Sequence, residues 1–91
     1  MTRFVHIGFN FEGEAPIKEL EAVFNKAVDW LRYDDRCWIL YTSTDLDVWR
    51  DRIRKVPGMG GGSSFLLTEF ERGAYSGYQH DWVWEWLKKP R

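Results

Sequence analysis

Apolar positions along the chain recur in two periods, and their succession predicts a β-α-β-α-β order. From Arg3 to Phe11 the chain alternates. Val5, Ile7, Phe9 and Phe11 fall on one side, and Phe4, His6, Gly8 and Asn10 on the other. The first set is large and apolar, as a core face requires. The second is mixed, as suits a sheet face left for solvent or a partner. After Glu12-Gly13-Glu14 the period changes. Pro16 suits a first helical turn, where its missing N–H costs nothing. Ile17, Leu20, Phe24, Ala27, Val28 and Leu31 follow at helical spacing, which predicts one amphipathic helix ending near Arg32. Tyr33-Asp34-Asp35-Arg36 reads as a polar turn.

Cys37-Trp-Ile-Leu-Tyr-Thr42 is apolar on both sides, the signature of a central strand. Thr44 is the expected N-cap of the next helix, with Asp45 and Asp47 at the positive end of its dipole. Leu46, Trp49, Ile53 and Val56 form its inward stripe, and Pro57-Gly58 stops it. The glycine-rich loop Gly60–Ser64 leads into a third strand, Phe65 to Phe70. Ala74 to Tyr78 reads as a short edge strand. From His80 to Lys89 two readings compete. Asp81 as an N-cap gives a helix with Trp82 and Trp86 one turn apart, whereas Trp82, Trp84 and Trp86 also alternate onto one face of a strand. The helix is preferred. The whole describes an α+β, ferredoxin-like sandwich over residues 1–91, a single domain, with two helices on one side of the sheet and the other side free.

Composition changes the picture in one respect. Six Trp, four Tyr and six Phe make 18% of the chain aromatic, more than a small core needs. Some of these rings are expected in a subunit interface or binding face. Thirteen Lys and Arg against fourteen Asp and Glu give a net charge of −1, which argues against broad non-specific nucleic-acid binding. The single Cys37 excludes an internal disulfide framework and fits a cytoplasmic setting. No apolar stretch approaches membrane-spanning length, and residues 1–11 lack a signal-peptide layout, so no membrane association is expected.

Candidate chemistry is sparse. His6, His80 and Cys37 are scattered and resemble no zinc site. No serine lies in a nucleophile-elbow context. The Gly58–Ser64 loop has amides and hydroxyls to offer an anion, but lacks the Gly-Lys-Ser/Thr ending of a phosphate loop and opens into a strand. No cofactor is expected. Arg50, Arg52, Arg54 and Lys55 crowd one helix, with Arg50 and Arg54 on a shared face, and form a candidate nucleic-acid grip diluted by Asp45, Asp47 and Asp51. Tyr75, Tyr78, Trp82, Trp84 and Trp86 are candidate partner-binding residues, since aromatic anchors dominate interfaces and also stack on bases.

Three stretches carry a family resemblance: Phe4-Val-His-Ile-Gly-Phe9, Arg36-Cys-Trp-Ile-Leu-Tyr-Thr42 running into Thr44-Asp-Leu-Asp, and Trp84-Glu-Trp-Leu-Lys88. In these patterns of apolar and turn residues the chain resembles the Cas-two-like proteins. These are the small dimeric subunit of the CRISPR spacer-integration complex and its stand-alone SinR-like and VapD-like relatives. The resemblance implies a ferredoxin-like fold, a homodimer and nucleic-acid contact. Some members are metal-dependent nucleases that use an aspartate in a Tyr-Asp pair ending the first strand. Here that pair is Phe9-Asn10, and neutral asparagine binds a hard cation less well than a carboxylate. Glu12 lies two residues on.

The expected function is therefore a non-catalytic, homodimeric binding protein acting through its sheet face and aromatic C-terminal segment. The alternatives are a Mg²⁺-dependent nuclease with Asn10 and Glu12 at the metal, or nucleic-acid binding through the basic helix.

Overall fold

The computed structural model describes residues 1–91. The elements run β1 (Arg3–Asn10), α1 (Ile17–Phe24), β2 (Asp29–Asp34), β3 (Cys37–Thr42), α2 (Leu46–Arg54), β4 (Ser64–Phe70) and α3 (Asp81–Lys88). The four strands form one sheet in the order β2-β3-β1-β4, and every neighbouring pair is antiparallel. The protein is a small α+β domain with three helices on a four-stranded antiparallel sheet.

The first helix is half as long as its apolar stripe suggests. It ends at Phe24, with Asn25 as its C-cap. Ala27, Val28 and Leu31 do not continue it, because Asp29–Asp34 is a strand. The reason lies in β3. A strand inside a sheet needs ladder partners on both sides. β1 supplies one side, and β2 supplies the other by folding back as a hairpin. Asp35 and Arg36 make the tight turn, where the Arg36 N–H donates to Asp34 Oδ1 at 3.1 Å. The ladder slips between Arg32 and Asp34, placing Tyr33 at a bulge.

Alternation sorts the side chains onto two faces. On one, Val5, Ile7, Phe9, Trp38 and Leu40 meet Leu20 and Phe24 of α1 and Trp49 and Ile53 of α2. This is the main core, and it places α1 and α2 on the same side. Thr42 is the one buried polar residue. Its Oγ1 accepts from the indole of Trp49 at 3.2 Å and from the Thr44 N–H at 3.1 Å. Thr44 is not the helix cap. That position belongs to Asp45, and the Thr44 carbonyl accepts instead from Arg3 at 3.0 Å.

The opposite face is not left free. Phe4, Leu31 and Ile39 are buried there against Val83 and Leu87 of α3. The chain reaches this position because residues 71–80 cross the sheet as irregular backbone, with Gly73 turning at φ +82°, and do not form the expected edge strand. Asp81 opens α3 as its first residue, with His80 as N-cap.

Candidate binding cleft

α3 covers only one end of its sheet face. At the other end Gly8, Asn10, Cys37, Ser64 and Leu66 line an open depression of about 530 Å³. Between the helix and this depression lies a cleft of about 300 Å³. Its sides are Phe70, Tyr75, Val83 and Trp84, and its floor holds Ile39, His6 and Tyr33. Tyr33 lines both spaces.

Each wall has a local cause. His6 faces the cleft because it alternates with Phe4 and Gly8 on β1. Tyr33 joins it because it alternates with Leu31, which faces α3 from the same side of β2. His6 Nε2 and the Tyr33 hydroxyl share a short hydrogen bond. Burial lowers the His6 pKa below 6.5, which keeps the imidazole neutral at pH 7. Burial, reinforced by a hydrogen bond to the Cys37 thiol, raises the Tyr33 pKa and keeps its phenol protonated. Tyr75 stacks on Trp84 at 5.9 Å and meets Phe70 edge-on at 6.0 Å, so the irregular segment braces α3.

The five aromatic residues singled out in the C-terminal segment separate into distinct roles. Tyr75 and Trp84 are cleft walls, and Tyr78, 93% exposed, stands at the rim. Trp82 is 48% exposed and stacks on His80. Trp86 is a structural anchor. Its ring packs 5.7 Å from Phe4, and its indole donates to Asp29 Oδ2 at 3.0 Å. Arg91 donates to the same oxygen at 3.1 Å and lies over the rings of Trp86 and Tyr41 at 4.6 and 4.7 Å. Asp29 therefore ties the start of β2 to α3 and the C-terminal residues.

The basic helix does not present one patch. Arg50 pairs with Asp51 at 3.1 Å and Asp47 at 3.3 Å, and its pKa is raised first by the Asp51 hydrogen bond. Arg52 lies over the Trp49 ring at 4.9 Å and shares a separate groove with Lys55, Lys26 and Glu19. Arg54 is exposed.

Asn10 and Glu12 do not gather into a donor set. Asn10 opens onto the depression, whose lining does not include Glu12. The Glu12 carboxylate lies against the glycine loop, so close that a Cβ on Gly62 would collide with Oε2. The Glu12 N–H also donates to Ser63 Oγ at 2.9 Å. The loop glycines thus serve close packing against an acidic side chain, which disfavours an anion there. No group of three His, Cys, Asp or Glu side chains stands where it could hold a metal, and these residues do not fit the Mg²⁺ site that the nuclease alternative requires. No helix is long and apolar enough to cross a membrane.

Tyr33, Leu66 and Asp29 matter here without standing out in the sequence, and His6 stands out there only as one of three scattered candidate metal ligands. The alternation of β1 was the only signal for the place of His6 in the cleft. Tyr33 and Asp29 had none, because their strand was hidden within a helical pattern. Comparison with family models, with curated proteins and with solved structures returns no match to this chain.

Proposed function

We propose that this chain is a ferredoxin-like binding module that acts without catalysis, as a homodimer whose subunits meet over the open end of the sheet face and the β4 edge. The fold assignment is supported by the strand order. Counted from the other edge it is β4-β1-β3-β2, fully antiparallel. α1 carries the chain from β1 to β2 across β3, and α2 carries it from β3 to β4 across β1. Two such crossovers are what a ferredoxin-like arrangement of split β-α-β units calls for, and they support the proposed fold.

The observation that carries the dimer is Leu66. It is 69% exposed on an edge strand, beside Gly8, Cys37 and Ser64 in a region no element of the chain covers. Such an edge offers unpaired N–H and C=O groups to another strand, and a second copy presents the same surface. The Cas-two-like resemblance points to a dimer as well. The exposed rings of Tyr78 and Trp82 then remain as anchors for a protein partner.

Light scattering at micromolar concentration tests this. The expected mass is twice the 10.9 kDa of one chain. Leu66→Glu should give a monomer with an unchanged circular dichroism spectrum. A wild-type monomer overturns the dimer, and metal-dependent cleavage of RNA or DNA overturns the non-catalytic reading.

A further inference from the structure

We infer that the cleft beneath α3 is a binding site for an uncharged aromatic molecule of roughly one or two rings bearing a hydrogen-bonding group, a size set by the low end of ligand-pocket volumes. The inference rests on lining, size and charge, and is independent of the proposed dimer surface.

Charged residues make up 30% of the chain, yet no Asp, Glu, Lys or Arg lines this cleft. A phosphate, carboxylate or ammonium group entering it would lose water and gain no counter-charge, at a cost that excludes it. The walls suit a flat apolar body instead. Tyr75 and Trp84 are already stacked and braced by Phe70, so they form a preformed aromatic surface. Val83 and Ile39 are buried behind it. The cleft holds about 300 Å³, too little for a helix of a protein partner and enough for a small ring system.

The polar groups are few. His6 and Tyr33 lie on the floor, and Ser76 and Gln79 add polar groups from the irregular segment. His6 and Tyr33 bond each other, which orients both. A neutral imidazole has a second ring nitrogen, and a phenol oxygen has a further lone pair, so the pair can still meet one polar group of a ligand. Burial holds both side chains uncharged, in keeping with a ligand that is uncharged itself.

The test titrates two probes of matched shape, 2-naphthol and 2-naphthoate, into the ¹⁵N-labelled full chain at pH 7. The expected result for 2-naphthol is a dissociation constant below about 1 mM, a modest value for its atom count. Amide shifts should centre on Tyr75, Val83 and Trp84. The carboxylate should bind at least about tenfold more weakly, because its charge is desolvated. Gly77→Phe supplies the second arm. A Cβ at Gly77 meets only the Trp84 ring, at an ordinary 3.8 Å, so the backbone accepts the change while a new ring crowds the cleft. It should weaken 2-naphthol at least about tenfold with the amide spectrum otherwise preserved. Equal binding of the two probes, unchanged binding to Gly77→Phe, shifts centred on Leu66, or no shifts up to the solubility limit would each overturn the site.

Discussion

His6 and Tyr33 show how two ordinary residues acquire a role from their surroundings. In the unfolded chain His6 takes up a proton near pH 6.5, whereas in the fold burial lowers its pKa. Between these values the unfolded state binds more protons, so stability falls as pH falls below 6.5. Melting temperatures between pH 7.5 and 5 should therefore decline less steeply in His6→Gln than in the wild type. Parallel slopes would show that His6 does not contribute. At the same scale, Gly61 holds φ +66° with the Glu12 carboxylate beside it. Gly61→Ala should cost about 1–2 kcal/mol in urea unfolding, the left-handed penalty for a side chain. The glycines were visible as a loop in the sequence. Their reason, a close approach to Glu12 and Pro16, was not, because Glu12 and Gly62 are distant in the chain and meet only when β1 pairs with β4.

Among the elements, β2 is the instructive one. Ala27, Val28 and Leu31 fit a helical stripe as well as Leu31 and Tyr33 fit an alternation. Over so few residues the two periods overlap, and local pattern does not separate them. The decision is made elsewhere, by the unpaired side of β3. The same strand then supplies Asp29, which accepts from both Trp86 and Arg91. Asp29→Ala should destabilise the fold by about 1–3 kcal/mol, since it strands two donors against apolar rings. Chemical denaturation measures this. A loss of the same size in Trp86→Phe, with little added in the double variant, would show that the two act as one contact. α3 was legible only in part: Asp81 as a cap and the one-turn spacing of Trp82 and Trp86 favoured a helix, while the alternation of Trp82, Trp84 and Trp86 also allowed a strand. Its docking site was not legible, since an apolar stripe names no partner.

At the scale of the molecule, the sheet carries helices on both faces, and that decides where anything else can bind. Phe4, Leu31 and Ile39 are buried only because α3 lies on them. Removing residues 79–91 should expose this face, with a rise in the fluorescence of an apolar dye and a lowered melting temperature. Val83 and Leu87 alone contribute about 1.5–3 kcal/mol each by burial. A truncated chain with wild-type melting and no dye binding would mean that α3 is dispensable. Because the helix stops short of Gly8 and Leu66, it leaves an open end for a second copy and a cleft at its own margin.

With α3 left between helix and strand, the order of local periods was enough to determine β1, β3, α2 and β4, and the stripes that make the main core. Each of these is long enough, or bounded sharply enough by Pro, Gly or Asp, for neighbouring residues alone to set its conformation. β2, the cover over the second sheet face and the cleft beneath it were decided only in three dimensions. They depend on which strand completes the ladder of β3 and on where the chain is carried after Gly73. Those are choices between distant segments, made by hydrogen bonds and buried area that no local window contains.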